Sequence, residues 1–308
     1  MQEARENLSS RLGFLLISAG CAIGLGNVWR FPFITGVYGG GAFVLLYFFF
    51  LFLFALPIMV MEFSVGRASR INVAASFYRL QPKGAKWHYF GIIGIWGNYL
   101  LMMFYTTVSG WMLAYLGFSL SGKLDGLTTS EVGGVFGNML ASPYQTVGWM
   151  ILAVLIGFSI CAAGLRKGVE RFTVIMMSGL FLILIVLVIR SVTLPGAGEG
   201  LAFYLLPDFN RMMANGLWQS VYAAMGQAFF TLSIGIGSMA IFGSYIDRSR
   251  SLTGESVNIM GLDTTVAIMS GLIIFPACFA FGVDANAGPG LVFVTLPNVF
   301  NHMHGGFF

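Results

Sequence analysis

Apolar positions along this chain fall in long unbroken runs, with neither the strict alternation of a half-buried strand nor the narrow stripe of a surface helix. The runs lie at roughly 12–37, 42–66, 88–121, 146–164, 172–194, 216–245 and 260–283. At about 1.5 Å of rise per residue, each is long enough to cross a hydrocarbon layer of about 30 Å. They predict seven transmembrane helices, here spans 1 to 7, the third extending beyond the bilayer. The Gly- and Pro-containing stretch 195–215 predicts an external loop, and Asp284–Phe308 a punctuated external loop with a short helix.

Two of the runs are interrupted in the middle. Span 1 carries AIGLGN at Ala22–Asn27 and span 6 carries SIGIGS at Ser233–Ser238, the same order of small, apolar, Gly, apolar, Gly, polar. Glycines in a membrane helix often mark a close-packing face. Asn27 and Arg30 beside the first motif, and Thr231 and Ser233 beside the second, favour real breaks instead. Unwound backbone at membrane depth survives only where protein or a wet cavity satisfies it, and a matched pair of broken helices marks a midplane binding site. Spans 1 and 6 are five apart, so a five-helix repeat starts at each. The odd number inverts the second copy.

Composition sharpens this reading. Hydrophobic residues make up 57% of the 308 and charged residues 9%, against about 25% charged in a soluble domain. The bilayer is therefore a partner and the fold an all-α multi-pass membrane protein. Arg5, Arg11, Arg67, Arg70, Arg79, Lys83, Lys86, Arg166, Lys167, Arg171, Arg248 and Arg250 fall on one side of the seven-span arrangement, against Lys123, Arg190 and Arg211 on the other. That bias predicts a cytoplasmic N-terminus in a cell (inner) membrane and accounts for the net charge of +4 without nucleic acid. Cys21, Cys161 and Cys278 lie in apolar segments and predict no disulfide framework. No nucleophile–base pair or metal cluster is visible, His302 and His304 being a weak pair, so an enzyme is not expected. A seven-helix receptor or a channel is the alternative class; the paired breaks and the lack of a repeated filter loop argue against both. Asp263 is the only aspartate within a predicted span, and an intramembrane carboxylate is costly and marks a functional site by default. Glu62 and Arg67 predict a structural network at the end of span 2, and Glu170 with Arg171 a solvated pair.

The segments RLGFLLISAGCAIGLGNVWRFPF, GGGAFVLLYF, MEFSVGR, GVERF, GQAFFTLSIGIG and GLIIFPA, in this order, resemble the neurotransmitter:sodium symporter family, bacterial amino-acid branch. That family is among those from which the paired-break rule was drawn. The resemblance implies a twelve-helix fold, with helices 1–5 and 6–10 as inverted repeats, that couples uptake of small amino acids or amines to the sodium gradient. It implies one sodium ion held by the Ala22 carbonyl, Asn27, Thr231, span 7 and the substrate carboxylate, and a second by carbonyls of Gly20 and Ile23. The substrate carboxylate would meet the amides of Leu25 and Gly26, where a half-helix N-terminus favours an anion, and the Tyr105 hydroxyl. Phe230 and Tyr105 would form an aromatic lid and Arg30 the outer gate. Cys21, Leu101, Phe230 and Ile236 would line an apolar pocket for neutral, hydrophobic side chains, with Ser233 among the substrate-binding residues. Gly24 stands where amine-transporting relatives carry aspartate, so amino acids are expected rather than monoamines. Asp263 stands where the family usually has asparagine. It is expected to ligate sodium and replace the charge of a bound chloride, with Tyr47 and Gln227 around it, making transport chloride-independent. An oligomer is compatible with all of this.

Three departures from the family pattern stand out. Leu8 occupies a position that is often Trp. Gly168 is followed ten residues later by Ser178 where a Gly-x9-Pro motif has proline. The match stops where helix 8 should begin, so the expected architecture is truncated after span 7. The first repeat covers 1–195, a loop 196–215, the start of the second repeat 216–283 and a loop 284–308. Alone, such a chain is expected to be an incomplete transporter.

Overall fold

A computed structural model of the chain describes residues 11–282 and 291–297. Span 1 is α1 (Arg11–Ala22) followed, after a break, by a π-turn at Gly26–Arg30 and α2 (Phe31–Val37). Span 2 is α3 (Gly41–Phe50) and α4 (Leu56–Ser69), joined through a second π-turn at Leu51–Ala55. Both π-turns end just before a proline, Pro32 and Pro57. Proline has no N–H and crowds the carbonyl four residues back, so the ladder shifts to the longer i→i+5 bond there. α5 (Val73–Leu80) follows, then span 3 as α6 (His88–Leu120). α7 (Thr129–Leu140) precedes span 4, α8 (Pro143–Ala162). A third π-turn at Leu165–Glu170 opens span 5, α9 (Arg171–Val192). α10 (Ala197–Leu205) and α11 (Phe209–Ala214) come before span 6, which is α12 (Leu217–Thr231), a run of turns and α13 (Ser238–Gly243). Span 7 is α14 (Leu252–Phe281).

Among the described residues five helices are long and apolar enough to cross a membrane, and the bent pair formed by α1 and Gly26–Val37, kinked by 53°, makes a sixth. The expected sixth span is too short in either piece, 15 and 6 residues, because its turns fall in mid-run. The stretch 195–215 is not a plain loop. It folds as α10 and α11, and Tyr204 of α10 seats its hydroxyl on the Ile268 carbonyl of α14 at 3.3 Å. α5 and α7, short and mixed in polarity, lie between the long apolar runs and escape a reading based on them. The capping box of α7 is nonetheless written in the sequence: Glu131 accepts from the Thr128 amide at 2.8 Å.

α14 is the axis of the molecule. Ile259, Val266, Ala267, Ile273 and Phe275 are buried in the main apolar core together with side chains of α1, α3, α4, α9 and α12. α4 and α13 cross at glycines: a Cβ on Gly66 would meet the Ser244 amide at 2.9 Å, and one on Gly243 the Phe63 carbonyl at 2.6 Å. A second, aromatic cluster joins Trp111 and Tyr115 of α6 and Phe136 of α7 to Phe293 in the described part of the tail. No residue of α8 is buried. Glu170 is only 4% exposed, so the expected solvated Glu170–Arg171 pair is corrected: the π-turn carries Glu170 inward. Arg5, Leu8, His302 and His304 lie outside the described residues.

Candidate functional site

Both interrupted spans break, and the breaks lie against each other. α1 ends at Ala22, and the Gly24 carbonyl takes up the Asn27 and Val28 amides at 3.1 and 3.3 Å as the chain turns into the π-turn. In span 6 the break is looser. Ser233, Gly235 and Gly237 all have positive φ, at 51°, 88° and 79°. Glycine adopts that region freely, whereas serine does so at a cost of about 1–2 kcal/mol. Ser233 gains in return a bond across the gap, its Oγ donating to the Cys21 carbonyl at 3.1 Å. The end of α1 is thus satisfied by the broken part of span 6.

Glu62 of α4 holds the other side of that break. Its Oε1 accepts from the Gly235 amide at 2.5 Å, and the side chain is 7% exposed. Arg67 does not reach it; Arg67 donates instead to the Arg250 carbonyl at 2.8 Å. The expected Glu62–Arg67 network is therefore corrected, because Glu62 points into the bundle and Arg67 toward its end. Asn98 of α6 completes the support, donating to the carbonyls of Gly94 and Ile236 at 2.8 Å each. Neither role is visible in the sequence, although Glu62 is the last acidic residue before Asp125, a signal that it is not an ordinary surface charge.

Where the breaks meet span 7, three fully buried polar side chains converge. Asn27 Nδ2 donates to Asp263 Oδ1 at 2.8 Å, to the Asp263 carbonyl at 3.0 Å and to Thr231 Oγ1 at 3.2 Å. Thr231 Oγ1 donates to Asp263 Oδ2 at 2.8 Å. Asn27 Oδ1 accepts from the Gly24 amide at 3.2 Å. Asn27, Thr231 and Asp263 all have zero exposure, in a setting where a carboxylate without partners costs about 3 kcal/mol. The Tyr47 hydroxyl lies beside Asp263, Thr231 and Thr264. The donor set is hard oxygen throughout: an amide, a hydroxyl, a carboxylate and a main-chain carbonyl. Half a turn of the Asn27 amide presents Oδ1 to the same cluster, so these residues fit a small hard cation.

Next to this cluster lie Arg30, Gln227 and Phe230. Arg30 NH1 donates to Gln227 Oε1 at 2.5 Å, and its guanidinium lies 4.9 Å above the Phe230 ring. Gln227 Nε2 donates to the Gly26 carbonyl at 3.0 Å. Among the described residues Gln227 thus bonds to Arg30 and to span 1, and not to Asp263. Tyr105 faces Gly24: a Cβ there would sit 3.8 Å from Tyr105 Cε1, whereas one on Gly26 would press on the Phe230 ring at 3.0 Å. Ile236 lies against Gly97 of α6, one turn from Leu101, while Cys21 is exposed near the end of α1. Ala22 and Ile23 are buried, and Gly20 packs toward Thr173 and Met177 of α9.

A family model described as the sodium:neurotransmitter symporter family matches residues 5–131 and 140–308. The sodium-dependent transporter YhdH of Bacillus subtilis (strain 168) is 38% identical over 97% of this chain and 65% of its own length. A sodium-dependent transporter of Haemophilus influenzae (strain ATCC 51907 / DSM 11121 / KW20 / Rd) is 37% identical over 99% of this chain and 68% of its own. The chain thus spans about two thirds of the length of these relatives. Among solved structures, MhsT in complex with L-phenylalanine superposes with a TM-score of 0.91 at 42% identity, over 99% of this chain and 68% of that one. Model, relatives and fold agree along nearly the whole sequence, and the chain belongs to the sodium:neurotransmitter symporter family, whose members are membrane transporters and not enzymes.

Proposed function

We propose that the protein is a sodium-coupled symporter that imports neutral, hydrophobic amino acids by alternating access, with its N-terminus in the cytoplasm of a cell whose inner membrane it spans. The observation that carries this reading is the buried Asn27–Thr231–Asp263 cluster, formed by both breaks and span 7 together. It supplies oxygen ligands for sodium beside the free backbone of span 1. Spans 1–5 and the start of a second, inverted five-span unit frame it, with a second sodium at the carbonyls of Gly20 and Ile23.

The substrate's carboxylate meets the first amides after the break, at Leu25 and Gly26, where the helix dipole favours an anion. Its ammonium sits toward the Ser233 side, and its side chain lies among Leu101, Phe230 and Ile236. Gly24 leaves room for that carboxylate beside Tyr105, which disfavours ligands lacking one. The L-phenylalanine bound by MhsT is a neutral, hydrophobic amino acid of the class proposed. Asp263 brings a fixed negative charge next to the ion, with the Tyr47 hydroxyl beside it, so transport proceeds without chloride.

The test is uptake of labelled L-phenylalanine and L-leucine by the complete gene product in proteoliposomes, with sodium or potassium outside and with chloride or gluconate. Sodium-driven, chloride-indifferent uptake of the amino acids is expected. Preference for dopamine, or equal uptake in potassium, overturns the reading.

A further inference from the structure

The connection between spans 2 and 3 is built as a platform. α5 buries Val73 and Ser76, and the Ser76 and Ser69 hydroxyls bond at 2.7 Å. Asn72 caps its start, accepting from the Ala75 amide at 3.0 Å. Phe77 packs edge-on against Phe90 with centroids 5.1 Å apart, and Gly91 of α6 admits the backbone of Ala74, where a Cβ would stop it at 2.9 Å. The inner face of α5 is therefore fixed.

Its surroundings are aromatic and basic. Tyr78 is 69% exposed and Trp87 61%, with Tyr89 exposed beside them. Arg70, Arg79, Lys83 and Lys86 are all exposed. No acidic residue occurs between Glu62 and Asp125, and none of the four cations forms an ion pair among the described residues. α4 delivers the chain to this platform from one membrane span and α6 returns it into the next, so the patch sits at headgroup depth. Amphipathic rings settle at that depth, and Lys and Arg beside them are drawn to an anionic leaflet within a Debye length.

The fixed face leads to the transport site. Val73 abuts Gly237: a Cβ on that glycine, at φ 79°, would meet Val73 Cγ2 at 3.0 Å. One residue earlier, the Ile236 carbonyl is held by Asn98. α5 thus braces the break of span 6 from behind.

We propose that α5, with Arg70, Arg79, Lys83 and Lys86, is a binding surface for anionic phospholipid headgroups, and that lipid held there steadies the span 6 break through Val73. The assignment to the cytoplasmic leaflet rests on the orientation and transport reading above. The experiment reconstitutes the complete gene product in phosphatidylcholine vesicles with and without phosphatidylglycerol. Lipid retained by the purified protein is counted by native mass spectrometry, and sodium-driven uptake is measured in parallel.

Phosphatidylglycerol is expected to raise wild-type uptake severalfold. Each neutralisation among Arg70→Gln, Arg79→Gln, Lys83→Gln and Lys86→Gln should weaken retention about fivefold, and the fourfold variant should lose the stimulation. Exchanging Lys for Arg and Arg for Lys at the same four positions should preserve both. Val73→Ala should retain the lipid and lose the stimulation. Equal phosphatidylglycerol retention by wild type and the fourfold Gln variant overturns the surface; stimulation of Val73→Ala like that of wild type overturns the coupling. Absence of sodium-driven uptake in either vesicle overturns the transport reading, while lipid retention still decides this one.

Discussion

The two helix breaks share a sequence pattern and differ in how they are held. The break in span 1 is short and held largely by its own side chain: Asn27 accepts from the Gly24 amide, a π-turn absorbs the extra residue, and Pro32 restarts the helix, with span 6 adding bonds to the Cys21 and Gly26 carbonyls. The break in span 6 spreads over three positive φ angles and takes its hydrogen bonds from elsewhere, from Glu62, from Asn98 and through Ser233 to Cys21. A break closed mainly by its own side chain depends less on its neighbours. One that borrows partners from α1, α4 and α6 is sensitive to the position of each of them.

The largest effect is expected where the breaks converge. Asn27→Ala removes three donated bonds and leaves the Asp263 carboxylate with Thr231 alone, in a place where such a group costs about 3 kcal/mol unpartnered. Sodium-driven uptake should fall more than about 100-fold, measured as initial rates in proteoliposomes. Asp263→Asn should lose chloride-free transport; full activity without chloride would refute the charge role of Asp263.

Glu62 separates the two breaks next. Glu62→Leu orphans the Gly235 amide at a cost of about 1–3 kcal/mol and should lower the thermal unfolding midpoint and uptake together. Glu62→Gln keeps an acceptor and should retain most of both. Equal damage from the two would show that the charge, and not the acceptor, holds span 6.

Two glycines of span 1 give a smaller contrast. Gly26→Ala drives a methyl into Phe230 at 3.0 Å, whereas Gly24→Ala meets Tyr105 at an ordinary 3.8 Å. Phenylalanine affinity, read by scintillation proximity, should drop about tenfold for Gly26→Ala, the equivalent of about 1.4 kcal/mol of displaced packing, and clearly less for Gly24→Ala.

Much of this was legible in the sequence because lipid leaves little choice. Seven apolar runs and two Gly-x-Gly interruptions are enough to place the breaks, and Asn27, Thr231 and Asp263 stand out as polar groups where polarity is expensive. What stayed hidden depends on direction and not on composition. Glu62 and Arg67 are five residues apart on one helix yet face different ways, which a one-dimensional pattern does not encode. Gln227 sits one helical turn from Thr231 but turns toward Arg30 and Gly26. α5, α7, α10 and α11 are short, and their signal is drowned by the long runs on either side.

Smaller still is the strain at Ser233. Ser233→Ala keeps the left-handed backbone and drops the bond to Cys21, so it should cost about 1 kcal/mol. Ser233→Gly loses the same bond but relieves about 1–2 kcal/mol of strain, so it should be near neutral in thermal unfolding. The slightest effect belongs to α7, far from both breaks. The Thr128 amide and hydroxyl hold the Glu131 carboxyl below its ordinary range, so the capping box supports α7 above that range and weakens as pH falls through the lowered value. Hydrogen exchange should show the first turn of α7 opening on acidification while residues 22–27 and 233–237 do not change.

The most direct measurement is a sodium titration of labelled L-phenylalanine binding to the purified complete gene product in chloride-free buffer, for wild type and Thr231→Val. Joint solvation of the cation by both breaks and Asp263 predicts wild-type affinity that rises steeply with sodium and a Thr231→Val curve that is nearly flat. Wild-type affinity identical in sodium and potassium would contradict it.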